Sequence, residues 1–175
     1  MSDSETFYCT DKCCEIKIKP YTNNTLIHKK YYPTIKSGIV IYDPKTNKIL
    51  LVQSNGNLWG IPKGALKKEE NYITCAIREV YEETGLIINK KDISMSIIIY
   101  NNCKYFYSEQ NMCNVDVQNN PNNNDANGIA WIKIPCLHKC ILNGNIDINS
   151  HTRILIKKFF NIQLPKSNFI TVRKR

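Results

Sequence analysis

The chain has 175 residues and a formal net charge of +9, a length that suits one domain with short tails. With 42% hydrophobic and 10% aromatic residues it can bury a core, yet no apolar run nears the roughly 20 residues of a membrane-spanning helix. Met1–Glu15 is acidic and bears cysteines, unlike a secretion signal, so a soluble cytoplasmic protein is expected.

The first 35 residues lack clear periodicity, apart from alternation in Glu15–Lys19 (EIKIK) that suits one strand. Gly38–Tyr42 (GIVIY) and Lys48–Gln53 (KILLVQ) read as paired strands around the turn DPKTN. Trp59–Glu70 reads as a loop and Asn71–Thr84 as a helix. Ile93–Tyr100 and Cys103–Tyr107 are expected strands around Asn101 and Asn102. Residues 114–128 hold seven Asn and one Pro, a low-complexity loop. Gly128–Ile134 (GIAWIKI) reads as a strand. Ser150–Asn161 (SHTRILIKKFFN) has the spacing of an amphipathic helix with Ser150 as N-cap. Strands separated by two helices point to an α+β or α/β sandwich.

Charge is unevenly spread. Residues 150–175 hold seven Lys or Arg (Arg153, Lys157, Lys158, Lys166, Arg173, Lys174 and Arg175) and no acid, whereas the remainder has 17 basic against 15 acidic residues. A basic C-terminal arm suits a polyanion, nucleic acid first, although a solvated helix face with a tail would look the same. Eight cysteines (Cys9, Cys13, Cys14, Cys75, Cys103, Cys113, Cys136 and Cys140) are expected to be reduced, since nothing indicates secretion. Cys9, Cys13 and Cys14 with Cys136 and Cys140 could supply four zinc ligands. Neither spacing is a standard pair-and-pair pattern, and free thiols are the expected state.

On the helix expected at Asn71–Thr84, Ile73, Ala76, Ile77 and Val80 fall on one face and should dock on a sheet. Glu79, Glu82 and Glu83 fall opposite, with Gly85 where a terminating glycine belongs. A solvated acidic face is the plain reading, but it is energetically poor. The i,i+3 and i,i+4 like-charge pairs each cost a few tenths of a kcal/mol, and the last helical turns disfavour negative charge. A divalent cation removes both penalties, and hard oxygen ligands on one rigid face suit Mg²⁺ or Mn²⁺.

Gly64, Glu70, Arg78, Glu79, Val80, Glu82, Glu83, Gly85 and Leu86 match every specified position of the Nudix hydrolase signature. A chance match has odds on the order of one in 10⁹ per start position. The resemblance implies an α/β fold, an α/β/α sandwich around a mixed β-sheet, over residues 36–161. Residues 1–35 would then be an N-terminal extension and residues 162–175 a basic C-terminal tail. It also implies hydrolysis of a pyrophosphate joining a nucleoside diphosphate to another group. By this resemblance Glu79 and Glu83 are direct metal ligands, Glu82 a ligand directly or through water, and the Gly64 carbonyl part of the shell. Glu70 and Arg78 would pair and hold the loop against the helix. The metals would polarise a phosphoryl oxygen, position hydroxide and neutralise the leaving group.

The segment Trp59-Gly60-Ile61-Pro62-Lys63-Gly64 and the run Cys75-Ala76-Ile77-Arg78-Glu79-Val80-Tyr81-Glu82-Glu83 resemble the catalytic domain of the mRNA-decapping enzymes, with Ile61 in place of the usual Phe. That resemblance implies that Lys63 binds phosphate. It places Asp125 at the position of the general base, with Glu82 as the alternative, and RNA along Arg153, Lys157 and Lys158. Only about 35 residues precede Gly38, too few for the helical regulatory domain of the cellular enzyme. Large DNA viruses encode Nudix decapping enzymes, and 26 Ile, 22 Asn and 20 Lys suit an AT-rich genome, so a viral version acting in host cytoplasm is expected. The expected reaction releases 7-methyl-GDP and 5′-monophosphate RNA. The alternatives are a small-molecule Nudix hydrolase acting on diphosphoinositol polyphosphates, dinucleoside polyphosphates or nucleotides, and an inactive RNA-binding Nudix module. Trp131, Tyr42 and Phe160 are expected in the core, which leaves the base-recognition residues unassigned.

Overall fold

The computed structural model describes residues 5–19, 34–54, 58–100, 102–118 and 126–166. In chain order these form β1 (Glu5–Tyr8), β2 (Glu15–Ile18), β3 (Lys36–Asp43), β4 (Lys48–Ser54), β5 (Leu58–Gly60), β6 (Lys63–Ala65) and α1 (Tyr72–Thr84). There follow β7 (Ile93–Ile99), β8 (Cys103–Glu109), β9 (Ala126–Lys133), α2 (Ile134–Leu142), β10 (Asp147–Ile148) and α3 (Ser150–Phe160). Seven strands run in the order β1-β2-β9-β4-β3-β8-β7. The β3–β8 pair is parallel, and the other neighbours on this path are antiparallel. Short β6 pairs with β3, and β5 bridges β4 and β10.

The central strands are apolar on both faces because both are covered, the pattern of a strand buried between two layers. Ile39, Ile41, Leu50, Val52, Ile129 and Trp131 face α1, where Ala76 and Val80 meet them with Ile73 and Ile77 at the margin. Their alternate neighbours Val40, Ile49, Leu51, Ala130 and Ile132 face the other way. There they pack with Leu137 and Ile141 of α2 and Leu155 and Ile156 of α3. This is an α/β/α sandwich around a mixed sheet. Tyr42 packs against Phe160 with ring centroids 5.0 Å apart. Trp131 is buried and donates its indole N–H to the Cys113 carbonyl at 3.1 Å. These three aromatics therefore serve the core. None of the eight cysteines forms a disulfide.

The structure departs from the sequence reading at several elements. The loop expected at Trp59–Glu70 contains β5 and β6, whose three-residue lengths give no periodicity to read. Ile134, read as a strand end, opens a helix that the sequence reading missed. Pro135 lies in its first turn, where its missing N–H costs nothing. The N-cap of α3 is Asn149, one residue before the expected Ser150, and its side chain accepts from the Thr152 amide at 2.9 Å. The segment before residue 36 supplies a β1–β2 hairpin, with Ile16 opposite Ala130 in β9. β1 is largely exposed, so its residues carry no apolar alternation. Among the described residues no helix is long and apolar enough to cross a membrane.

Candidate active site

Helix α1 begins at Asn71, whose side chain accepts from the Thr74 amide at 2.9 Å. It ends at Gly85, left-handed at φ 73°, whose N–H bonds the Tyr81 carbonyl. Between these caps Arg78, Glu79 and Glu82 lie on the side away from the core, whereas Glu83, expected there too, is buried at its margin, seven residues on from Ala76 and so nearly above it. Arg78 is the hub. Its Nε lies 2.7 Å from Glu70 Oε1 and its Nη2 2.8 Å from Glu70 Oε2, a bidentate fork. Nη1 reaches Glu79 at 2.7 Å and Glu82 at 2.9 Å, and Nη2 also donates to the Ala65 carbonyl at 3.2 Å. Hydrogen bonding to Arg78 is the main cause that holds Glu70 down to about 2, with a further bond from the Lys67 amide. The guanidinium, bonded first to Glu70 and then to Glu79, is itself pushed above its ordinary value.

The loop containing β6 closes over these carboxylates. A Cβ on Gly64 would lie 2.0 Å from the Glu79 carboxyl carbon, so only glycine lets that carboxylate rest against the loop backbone. The buried Glu83 accepts from the Lys63 amide at 3.0 Å. Burial pushes Glu79 above the ordinary carboxylate range, with Arg78 opposing. Burial likewise lowers the Lys63 ammonium, while the charges of Glu83 and Glu79 pull the other way. The sequence-selected Gly64, Glu70, Arg78, Glu79, Glu82, Glu83 and Lys63 thus meet in one place.

Other candidates fall elsewhere. Asp125 and the tail Arg173–Arg175 lie outside the described residues. Arg153 was expected on an RNA-binding face with Lys157 and Lys158. Instead its guanidinium pairs with Asp147 at 3.1 Å and donates to the carbonyls of Ile148 and Pro165. It ties Pro165 to β10, whereas Lys157 and Lys158 are exposed. The sequence reading also missed Lys67, whose Nζ lies 3.4 Å from Glu82 Oε1. It missed His151, held by the Tyr105 hydroxyl at 2.5 Å. Burial lowers His151, and the charges of Lys63 and Lys36 add to this, which puts the ring in the electrostatic reach of the loop. Neither residue belongs to a local motif, so only the folded chain could reveal them.

Four carboxylates, three of them on α1, face Arg78, Lys67 and Lys63, which leaves a small anionic surplus where helix and loop meet. Where the surplus is partly buried it calls for a cation, and oxygen donors select a hard divalent ion. With no side chain, Gly64 lets the Glu79 carboxylate lie against the loop backbone. The residues present therefore fit Mg²⁺ or Mn²⁺.

The family model described as NUDIX domain matches residues 33–139. Protein 111R of Invertebrate iridescent virus 3 is 33% identical over 136 residues, covering 75% of this chain and 79% of that protein. The mRNA-decapping protein g5R of African swine fever virus (isolate Warthog) is 44% identical over 64 residues, covering 35% of this chain and 26% of that protein. Among solved structures, the dihydroneopterin triphosphate pyrophosphohydrolase of E. coli superposes with a TM-score of 0.55 at 16% identity. That match covers 77% of this chain and 100% of the other, and it shows a shared fold. The chain belongs to the Nudix hydrolases, enzymes of pyrophosphate bonds that generally work with divalent metal ions.

Proposed function

We propose that this Nudix hydrolase removes the cap from capped RNA, releasing 7-methyl-GDP and 5′-monophosphate RNA. The observation that carries the reading is the concentration of identity. The stretch shared with the viral decapping protein is 44% identical over only 64 residues, against 33% over the longer match to 111R. Exposed Lys157 and Lys158 on α3, with the basic residues that follow, suit an RNA backbone.

In this reading Glu79 and Glu83 hold Mg²⁺ or Mn²⁺ directly, Glu82 does so directly or through water, and the Gly64 carbonyl completes the loop side. The ion supplies Lewis acidity toward phosphoryl oxygen and offsets the charge of the departing diphosphate. Arg78 and Glu70 hold the helix and loop in register, so that the ligands need no rearrangement. Lys63, drawn toward Glu83 and Glu79, receives a substrate phosphate. The proton of the attacking water goes to Asp125 or Glu82.

The test supplies cap-labelled RNA, a diphosphoinositol polyphosphate and free cap dinucleotide in parallel with Mg²⁺ or Mn²⁺. Release of 7-methyl-GDP from the RNA is expected. Silence on RNA with rapid turnover of a small substrate would assign a small-molecule hydrolase, and binding without any turnover an inactive RNA-binding module. Glu83→Gln is expected to lower turnover more than about 100-fold while leaving RNA binding nearly unchanged. Full activity in that variant would remove Glu83 from the ligand set.

A further inference from the structure

The N-terminal hairpin brings a second set of potential metal ligands together, and the Nudix chemistry makes no use of it. Cys9 follows β1, Cys13 and Cys14 lie in the turn before β2, and Cys136 sits in the first turn of α2. The four sulfur atoms all lie within 4.8 Å of one another. Cys13 Sγ is 3.7 Å from Cys9 Sγ, 3.7 Å from Cys14 Sγ and 3.4 Å from Cys136 Sγ. A tetrahedron of thiolates around zinc, with Zn–S of about 2.3 Å, has edges of about 3.8 Å. The observed spacings are close to that figure, and far too tight to enclose a multi-iron cluster.

We propose that Cys9, Cys13, Cys14 and Cys136 bind one structural zinc ion that clamps the N-terminal hairpin to α2. Three further features suit such a site. First, one of the sulfurs already receives a backbone donor: Cys14 accepts from the Lys133 amide at 3.3 Å. Amide donors of this kind orient thiolate ligands and stabilise their charge. Second, positive charge stands by. Four thiolates around one dication carry a net charge of −2, and Lys139 lies one helical turn from Cys136 on α2. Lys139 also pairs with Asp11 at 2.7 Å, which pins the β1–β2 turn against α2. Third, Cys136 lies at the positive end of a helix dipole, where a thiolate is favoured.

Loading exchanges protons for metal without oxidation. Four S–H bonds break, four Zn–S bonds form and four protons pass to solvent. The pairing of Cys9 with Cys13 fits a known ligand spacing of three intervening residues. The adjacent Cys14 and the remote Cys136 fit no local pattern, and Cys140 stands outside the set.

The test uses the full chain, purified under reducing conditions without chelator. Elemental analysis is expected to find one zinc per chain. Co²⁺ titrated into the zinc-free protein is expected to give the thiolate-to-cobalt charge-transfer and visible bands of a tetrahedral site. Cys136→Ser and Cys13→Ser should lose the ion or weaken its binding at least 100-fold, while Cys103→Ser should keep it. Stripping zinc should lower the Tm and make three to four thiols newly reactive. The site would be overturned by wild-type protein that carries no zinc and gives no cobalt spectrum. A Cys13–Cys136 disulfide under reducing conditions would overturn it too, as would undiminished zinc in both serine variants. The cobalt titration decides the matter even if the serine variants fail to fold.

Discussion

The Arg78 guanidinium meets three glutamates and one backbone carbonyl, so its five donors leave little to spare. Lysine offers a point charge and could not hold Glu70 bidentately while reaching Glu79 and Glu82. The bond from Arg78 lowers Glu70 from 4.5 to about 2 on folding. Because the folded value lies below the unfolded one, the pair contributes its full stability above about pH 4.5 and loses it as pH falls through about 2. Glu70→Gln should therefore cost on the order of 2 kcal/mol at neutral pH. The difference from wild type should shrink toward zero as the medium approaches pH 2. Urea denaturation across that range measures it, and a pH-independent difference would mean that the charge of Glu70 is not what stabilises the pair. Arg78 and Glu70 could be paired from the sequence because they belong to one signature. The Lys63 amide on Glu83 could not, since a backbone donor carries no residue identity.

At the scale of elements, α1 is the piece that sequence defines best. Its apolar stripe, its Asn71 cap and Gly85 are all local features, and all three stand in the folded helix. Gly85 adopts φ 73° and an added Cβ would approach the Gln118 side chain at 2.7 Å. Gly85→Ala should destabilise the protein by about 1–2 kcal/mol, seen as a lower urea midpoint at unchanged m-value. An unchanged midpoint would show that the helix end can refold around alanine. Helix α2 illustrates the opposite case. Its nine residues span under three turns, and it begins at Ile134, where the apolar run of the preceding strand has not yet ended, so no break in the sequence marks its start. The three-residue strands β5 and β6 are likewise invisible to periodicity. They exist because β3, β4 and β10 offer them partners.

Charge is unevenly spread over the whole molecule. Acidic side chains concentrate on α1, whereas the chain from residue 150 onward holds only basic ones. Arg153, although basic, is bound to Asp147 and to backbone carbonyls, so its removal should loosen the C-terminal segment rather than weaken phosphate contact. Under the proposed decapping function, exposed Lys157 and Lys158 are the better electrostatic contacts. Replacing both with Ala should reduce the slope of log K against log[salt] for capped RNA by about 0.7 per lysine that touches a phosphate. Fluorescence anisotropy at several salt concentrations measures that slope. An unchanged slope would place the RNA path on another face.

The sequence by itself determined the chemistry, because Gly64, Glu70, Arg78, Glu79, Glu82 and Glu83 lie within one continuous stretch of loop and helix. Helical spacing alone puts three of those carboxylates on one face, and no distant partner is needed to see it. It also determined the central strands, whose apolar runs admit only a covered sheet. What the tertiary structure decided is everything joined across the chain. Cys136 meets Cys13 at a separation of 123 residues, His151 meets Tyr105 at 46, and Arg153 turns back on Asp147 and Pro165. Such contacts follow from strand order and register, which depend on how all the apolar surfaces are buried together. No spacing between residues in the sequence encodes them.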